Sequence, residues 1–153
     1  MTRKVTKRPD MQMRRKARQK AVQALYQWEM NGAAITTIES EFYADNDMSK
    51  IDTEYFREVL HQVPSIKSDL DEKIQSFVDR PLNRMTPVEL SILRLGTYEL
   101  IHRIDVPYRV IINEGVELAK VVGSNDGHKY INGVLDKMAQ EIRLKEISKK
   151  KKS

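Results

Sequence analysis

The stretch that most constrains this chain is residues 86–103, TPVELSILRLGTYELIHR. At about 100° per residue, its apolar side chains fall almost all round a helical wheel instead of along one stripe. Other helices must cover such a helix on most of its sides. Thr86 and Glu89 have the spacing of a capping box, and Pro87 suits the first helical position because it lacks an N–H group. The sequence therefore predicts a buried central helix that begins at Thr86.

One narrow strip of this central helix is polar. Glu89, Gly96 and Arg103 follow one another at intervals of seven residues and are nearly eclipsed on the wheel, with Glu99 beside them. Because polar side chains avoid the core, we expect this strip to reach the surface. Gly96 would let another group approach the helix closely at that point.

Helical patterns precede the central helix. Asp10 is a candidate N-cap for a helix that runs to about Met30, and Gly32 is its left-handed C-cap. Farther on, apolar residues keep one helical register over residues 51–77, even though Pro64 interrupts them. Proline removes a backbone hydrogen bond, so this pattern predicts either one kinked helix or two helices nearly in line.

Two further helices follow the central one. Asp105 is the candidate N-cap of the first, with Pro107 at its start, and Asp126 is the candidate N-cap of the second. No stretch alternates with a period of two for long enough to indicate a strand. We therefore expect an all-α fold, with six or seven helices in two packed groups around the helix at 86–103.

Breaks in these patterns divide the chain into four parts. The sequence Arg80-Pro81-Leu82-Asn83 is the best boundary between two helical subdomains, because proline interrupts helices. The expected parts are a disordered basic extension (1–9), an N-terminal subdomain (10–80), a C-terminal subdomain (81–145) and a disordered lysine-rich tail (146–153).

The charge of the chain is distributed unevenly. Residues 1–20 carry a net charge of +8 and residues 143–153 carry +5, while the whole chain carries +5, so the body between them carries −8. Basic ends on an acidic body suggest a polyanionic partner that binds through the termini. The alternative is that these ends only keep the domain soluble, and for the C-terminal lysine run that alternative is at least as good.

Several classes of chemistry have no signature in the sequence. The chain has no cysteine, which excludes disulfides and thiol catalysis and fits a reducing cytoplasm. Its three histidines lie far apart, no glycine-rich nucleotide motif occurs, and no apolar run reaches the ~18 residues of a membrane span. We therefore expect a protein that is not an enzyme and has no cofactor, metal site or membrane segment.

The first helix carries the best candidates for nucleic-acid binding. Arg15, Gln19, Val22 and Tyr26 form one stripe, with Arg18 at its edge. Cations, an amide and an aromatic ring in one stripe suit phosphate contacts and base stacking. The alternative is a solvated helix face whose tyrosine packs at a helix boundary.

The first turn of the last helix is a second candidate site. A helix N-terminus favours anions, and polar and aromatic side chains crowd this one. They are His128, Lys129, Tyr130 and Asn132. These groups could serve a ligand, with Lys129 and Tyr130 as the candidates, or they could simply complete a turn.

Two charged residues fall inside apolar arcs on the helical wheels. Arg94 lies on the buried side of the central helix, and Glu114 on that of the next helix. Buried charges of opposite sign are tolerated when they pair, so we expect a structural Arg94–Glu114 ion pair.

Three segments together resemble the NusB family of bacterial transcription antitermination factors, over roughly residues 14–140. They are RRKARQKAVQALYQW, TPVELSILRLGTYEL and DVPYRVIINEGVELAKVVGSNDGHKYINGVLDKM. The resemblance implies two perpendicular three-helix bundles. It also implies binding to the boxA element of ribosomal RNA leader transcripts, as a heterodimer with the ribosomal protein NusE, in the RNA polymerase complex that suppresses premature termination.

The resemblance also implies roles for individual residues. Arg14, Arg15 and Arg18 match the arginine-rich segment that contacts RNA. Tyr26 and Glu89 match positions where NusE and RNA meet. Asp126 matches an acidic turn residue that modulates RNA and partner affinity, and Tyr130 lies beside it where many relatives have phenylalanine.

The sequence is compatible with three functional hypotheses. The first is sequence-specific RNA binding with NusE, for which cations hold phosphates, aromatic rings stack on bases, and carboxylates meet a basic partner. The second is a protein adaptor without specific RNA recognition. The third possibility is a homodimer that hides the RNA-binding surface when the protein is alone.

Overall fold

The computed structural model describes residues 10–123 and 126–152, and no strand occurs in these ranges. The helices are α1 (Met11–Asn31), α2 (Ile35–Asp45), α3 (Thr53–Ser65), α4 (Lys67–Gln75), α5 (Pro87–His102), α6 (Tyr108–Val122), α7 (Gly127–Ile142) and α8 (Leu144–Lys152), with a short 3₁₀ turn at Leu82–Arg84. The all-α prediction is confirmed, whereas the predicted extension at 1–9 lies outside the described residues. Within the same two ranges, no helix has both the length and the apolarity to cross a membrane.

Helix α5 is the central element of the core. Every residue from 91 to 100 is buried, and the helix packs against α1, α3, α4, α6 and α7. Thr86 caps it by accepting a hydrogen bond from the Glu89 N–H group at 3.1 Å. Among the described residues no return bond from Glu89 is made, so only half of the predicted capping box forms. The buried central helix itself agrees with its all-round apolar pattern.

We expected the polar strip of α5 to reach the surface. It does not do so along its whole length. Gly96 is buried, and Glu99 is only 1% exposed. A Cβ atom on Gly96 would lie 2.7 Å from Cδ2 of Leu135, and one on Gly115 would lie 2.7 Å from Cδ1 of the same residue. The predicted close approach at Gly96 therefore exists, but α7 makes it inside the core.

The helix boundaries agree with most of the turn and cap signals. Asp10 caps α1 by accepting hydrogen bonds from two backbone N–H groups, and Gly32 ends the helix at a φ of 66°. Past Pro64, the helical pattern resolves into two helices separated by Ile66. The prediction that Asp105 is the N-cap of α6 is wrong, because Pro107 occupies that position. The Asp105 carboxylate instead accepts a hydrogen bond from Arg103 at 2.9 Å.

The predicted Arg94–Glu114 ion pair is wrong. Arg94 donates to Asp71 of α4 at 2.8 Å and to Glu29 of α1 at 2.6 Å. Glu114 instead accepts from Arg15 of α1 at 2.8 Å. The helical wheel correctly placed both charges on inward faces, but it carries no information on which neighbouring helix each face meets.

The C-terminal tail is also different from the expectation. Residues 146–152, expected to be disordered, belong to α8, which raises the number of described α-helices to eight instead of six or seven. Ile147 is buried in the core, and Glu146 accepts hydrogen bonds from Arg143 and from the backbone N–H group of Tyr108. One apolar anchor and one ion pair thus hold a segment whose lysine content alone predicts disorder.

Candidate nucleic-acid interface

The arginine-rich part of α1 lies along α6. Arg15 donates to both carboxylate oxygens of Glu114, from Nε at 3.1 Å and from Nη2 at 2.8 Å. Its side chain is 50% exposed, and in the described residues no hydrogen bond engages its Nη1 group. The pKa of Arg15 is raised, first by its hydrogen bond to Glu114 and then by the charge of Glu114. Glu114 therefore fixes a charged guanidinium that still faces solvent.

Arg14, the neighbour of Arg15, turns toward α3. Its guanidinium carbon lies 4.1 Å from the ring centroid of Tyr55, and its Nε donates to Asp52 at 3.2 Å. The side chain is only 14% exposed. Stacking on the Tyr55 ring and pairing with the Asp52 carboxylate hold the Arg14 side chain in place beside Arg15 and Arg18.

Arg18, which is predicted to contact RNA, is buried. Its side chain is 4% exposed, and its Nη2 donates to Glu99 of α5 at 2.8 Å. The hydroxyl of Tyr55 donates to the same carboxylate. Burial, and then the negative charge of Glu99, raise the pKa of Tyr55 well above its ordinary value. Arg18 thus neutralises a buried carboxylate, a structural task that leaves it little access to a ligand.

A groove opens between the first turns of α1 and α6. Its volume is ≈ 460 Å³, and its lining combines Arg14, Arg15 and Arg18 with the carboxylates of Asp105 and Glu114 and with apolar side chains. The residues that matter here are Met11, Arg14, Arg15, Val106, Pro107 and Val110. An apolar floor beside cations can receive both a flat base and a phosphate.

Tyr26 lies on α1, about three turns after Arg15. It is 37% exposed and lines a second groove, of ≈ 310 Å³, with Val88 of α5 and Val122 of α6. Glu114 of α6 binds Arg15 in the first half of α1, and Val122 at the end of α6 lines the groove of Tyr26 in the second half of α1. We call this line of contact, from Arg15 to Tyr26, the α1–α6 seam.

The charge of Glu89, at the start of α5, acts on Tyr130 of α7. Burial raises the pKa of Tyr130, and the charges of Asp79 and Glu89 add to this effect, while Arg80 opposes it. The Arg80 guanidinium lies 4.3 Å from the Tyr130 ring centroid. Val88, the residue before Glu89, lines the groove of Tyr26. The beginning of α5 therefore lies between Tyr26 and Tyr130.

The turn before α7 presents an exposed pair of charges. Asp126 occupies the N-cap position, but its side chain accepts no cap hydrogen bond from the part of the chain that the structure describes. Lys129 lies 3.8 Å from Asp126, and their side chains are 75% and 85% exposed. Both groups remain available to a partner because a pair this exposed is held weakly.

The structure thus separates the eight predicted site residues by their surroundings. Arg15, Tyr26, Asp126 and Lys129 are exposed, Arg14, Glu89 and Tyr130 are half-buried, and Arg18 is buried. The sequence patterns did not indicate that Glu114 orients Arg15. They also did not indicate that Arg80 lies over the Tyr130 ring. The only signal for Glu114 was a charge inside an apolar arc, which indicates a buried partner but not its identity.

A comparison with protein families decides what kind of protein has this arrangement. The family model described as "NusB family" matches residues 15–140, which is most of the chain. The chain belongs to the NusB family. The matched region begins at Arg15 and ends within α7, so it contains the seam, α5 and the turn before α7.

Individual NusB proteins are similar over nearly the whole chain. The transcription antitermination protein NusB of Pseudomonas savastanoi pv. phaseolicola is 55% identical over 139 residues, which cover 91% of this chain and 84% of the relative. That of Hahella chejuensis is 54% identical over 138 residues, covering 90% and 93%.

Solved NusB structures have the same fold. T. maritima NusB aligns with a TM-score of 0.74 and 30% identity, over 89% of this chain and 94% of that one. A chain from the structure of antitermination factors NusB and NusE in complex with dsRNA aligns with a TM-score of 0.71 and 24% identity, over 86% and 98%. At 24% identity, the similarity to this second structure shows a shared fold.

Proposed function

We propose that this protein is a transcription antitermination factor that binds the boxA element of ribosomal RNA leader transcripts together with NusE. In this proposal it joins the RNA polymerase antitermination complex in the cytoplasm and catalyses no reaction. Its NusB-family membership and the names of its relatives support this assignment. The helices would then form two three-helix bundles that share α5.

The α1–α6 seam is the observation that carries the proposal. Glu114 holds the Arg15 guanidinium through Nε and Nη2, so the Nη1 group is left for a phosphate oxygen. Tyr26 offers an exposed ring along the same seam. A fixed cation followed by an aromatic ring matches the repeating phosphate and base of single-stranded RNA.

The carboxylates nearby suit the protein partner. Glu89 lies in the first turn of α5, next to Val88 of the Tyr26 groove, and Asp126 lies at the N-cap position of α7, four residues before Tyr130. A basic protein such as a ribosomal protein would meet these negative charges while RNA meets Arg15 and Lys129. The charge complementarity would favour RNA and NusE binding together over either one alone.

The first experiment measures binding to a boxA single strand and to a scrambled strand, with and without purified NusE. We expect a preference for boxA that strengthens when NusE is added. Arg15→Ala should weaken boxA binding about tenfold and reduce the slope of log K against log salt by about 0.7, because one phosphate contact is lost.

Arg57→Ala is the matched control. Arg57 is also an exposed arginine in an ion pair, with Glu39 at 2.8 Å, but it lies on α3 and lines neither groove of the seam. Its loss should leave boxA affinity and the salt slope unchanged. Equal binding to both RNAs, unaffected by NusE, would overturn the proposal and favour the protein adaptor. Homodimerisation of the protein alone stays a prediction that light scattering tests.

A further inference from the structure

The segment between α4 and α5 places an arginine on Tyr130, the aromatic residue in the first turn of α7. Arg80 has its guanidinium carbon 4.3 Å from the Tyr130 ring centroid. Its side chain is 44% exposed, and its only ion pair in the described part of the chain is a long contact of 3.5 Å with Asp79, whose side chain is 83% exposed. An ion pair this exposed and this long does not bind the guanidinium firmly.

Tyr130 itself is poorly placed for a direct contact with a ligand. Its hydroxyl oxygen is buried and has no hydrogen-bond partner among the described residues, so the polar end of the ring points into the protein. The ring is half-buried, and the Arg80 guanidinium lies over it. A nucleotide that approaches over this face therefore meets Arg80 before it meets the tyrosine.

The surroundings of this pair are suited to a polyanion. Tyr130 lines a groove of ≈ 390 Å³ between the end of α4 and α7, together with Lys129 and Lys137. Lys137 is exposed and has no ion pair within residues 10–123 and 126–152. Asp79 is the acidic residue of the groove, and it already contacts Arg80. Cations therefore continue from Arg80 along α7.

We propose that Arg80 contacts RNA, with a base stacking on its guanidinium while the ring of Tyr130 supports the other side. Guanidinium planes stack on bases as aromatic rings do, and the outward N–H groups of Arg80 reach the adjoining phosphate. Tyr130 is then a positioning residue that holds the arginine plane. This inference rests on the proposed function and adds to it a residue that the sequence analysis did not select.

The test is boxA binding in the presence of NusE over a range of salt concentrations, with three variants. Arg80→Ala should weaken binding about tenfold, since one stacking contact is lost, and should reduce the salt slope by about 0.7. Arg80→Lys should keep the slope, because the charge remains, yet bind about threefold or more weakly because a lysine has no plane to stack.

Arg84→Ala is the matched control, since Arg84 is an exposed cation four residues farther on in the 3₁₀ turn. Arg84→Ala should bind boxA RNA as tightly as the unsubstituted protein does. Arg80→Ala, Arg80→Lys and Arg84→Ala should all keep the melting temperature of the unsubstituted protein. Arg80→Ala with unchanged or tighter binding, beside a weakened Arg15→Ala, would overturn the inference while the proposed function stands. A protein that does not prefer boxA at all would instead overturn the proposed function.

Discussion

At the scale of single residues, the most constrained group is the buried cluster of Arg18, Tyr55 and Glu99. The Glu99 carboxylate accepts from the Arg18 guanidinium at 2.8 Å and from the Tyr55 hydroxyl. Arg14 and Arg103 lie over the Tyr55 ring at 4.1 and 4.8 Å from its centroid. A buried carboxylate is stable here because a cation and a hydroxyl both reach it. The cluster joins α1, α3 and α5 directly behind the exposed Arg15.

Alkaline pH should expose the role of Tyr55. In the unfolded chain a tyrosine ionises at about pH 10, whereas burial and Glu99 raise the pKa of folded Tyr55 far above that. The stability that Tyr55 contributes is therefore fully present below about pH 10 and is lost as pH rises above it, because only the unfolded state releases the proton.

Urea unfolding of Tyr55→Phe between pH 8 and pH 11 measures this effect. At pH 8 the variant should lose about 1–3 kcal/mol of unfolding free energy with the hydrogen bond to Glu99. Its stability should then fall less steeply above pH 10 than that of the unsubstituted protein. Tyr43→Phe, at an exposed position, should keep the original pH dependence. Parallel curves for Tyr55→Phe and the unsubstituted protein would contradict the assignment.

At the scale of elements, two glycines and one leucine let α5, α6 and α7 pack closely. Leu135 of α7 is fully buried between Gly96 of α5 and Gly115 of α6. One δ-methyl group faces each glycine, so the leucine cannot turn away from one helix without moving into the other. The two glycines thus allow the three helices to meet at a distance that a Cβ atom on either glycine would prevent.

Gly96→Ala should destabilise the protein by about 1–3 kcal/mol, because the added methyl group overpacks against Leu135. Gly133→Ala is the control on α7, since no described atom lies within 4 Å of a Cβ at that position. It should stabilise the protein by up to about 1 kcal/mol through helix propensity alone. Chemical denaturation of both variants measures the difference. An unchanged stability of Gly96→Ala would show that α7 can shift without cost.

At the scale of the whole molecule, charged side chains connect α5 to the helices around it. Arg94 joins it to α1 and α4 through Glu29 and Asp71. At the other end, Arg143 is 5% exposed and donates to the backbone carbonyl groups of Glu99, Leu100, Arg103 and Val106. The carbonyl groups of Glu99 and Arg103 also accept from backbone N–H groups, so this one guanidinium adds to those bonds and closes the end of α5 and the loop to α6. Arg143 also pairs with Glu146 and so fixes the start of α8.

Arg143→Lys should cost about 2–4 kcal/mol of unfolding free energy, because an ammonium group cannot reach all of these carbonyl groups and leaves buried acceptors without partners. Lys145→Ala, at an exposed position of α8, is the control and should change the stability by less than about 0.5 kcal/mol. Thermal unfolding, with helix content from circular dichroism, measures both. Equal melting temperatures for Arg143→Lys and the control would contradict the capping role.

Local chemistry in the sequence determined most of the helical elements, although not α8. The Asp10 and Thr86 caps, the left-handed Gly32 and the all-round apolar pattern of α5 each depend on a residue and its near neighbours along the chain. The sequence also determined the family, because its motifs persist over residues 15–140. Such signals are readable without the fold because they act within one or two helical turns.

Tertiary structure alone decided which charges meet and which side chains remain exposed. Arg15 and Arg18 are three residues apart in one cationic segment, yet Glu114 holds the first at the surface while Glu99 binds the second in the core. The same holds for Arg94, whose partners come from α1 and α4, and for Arg80, which meets Tyr130 from fifty residues away. Each of these contacts depends on how whole helices are placed against one another, and the sequence of one helix does not contain that placement.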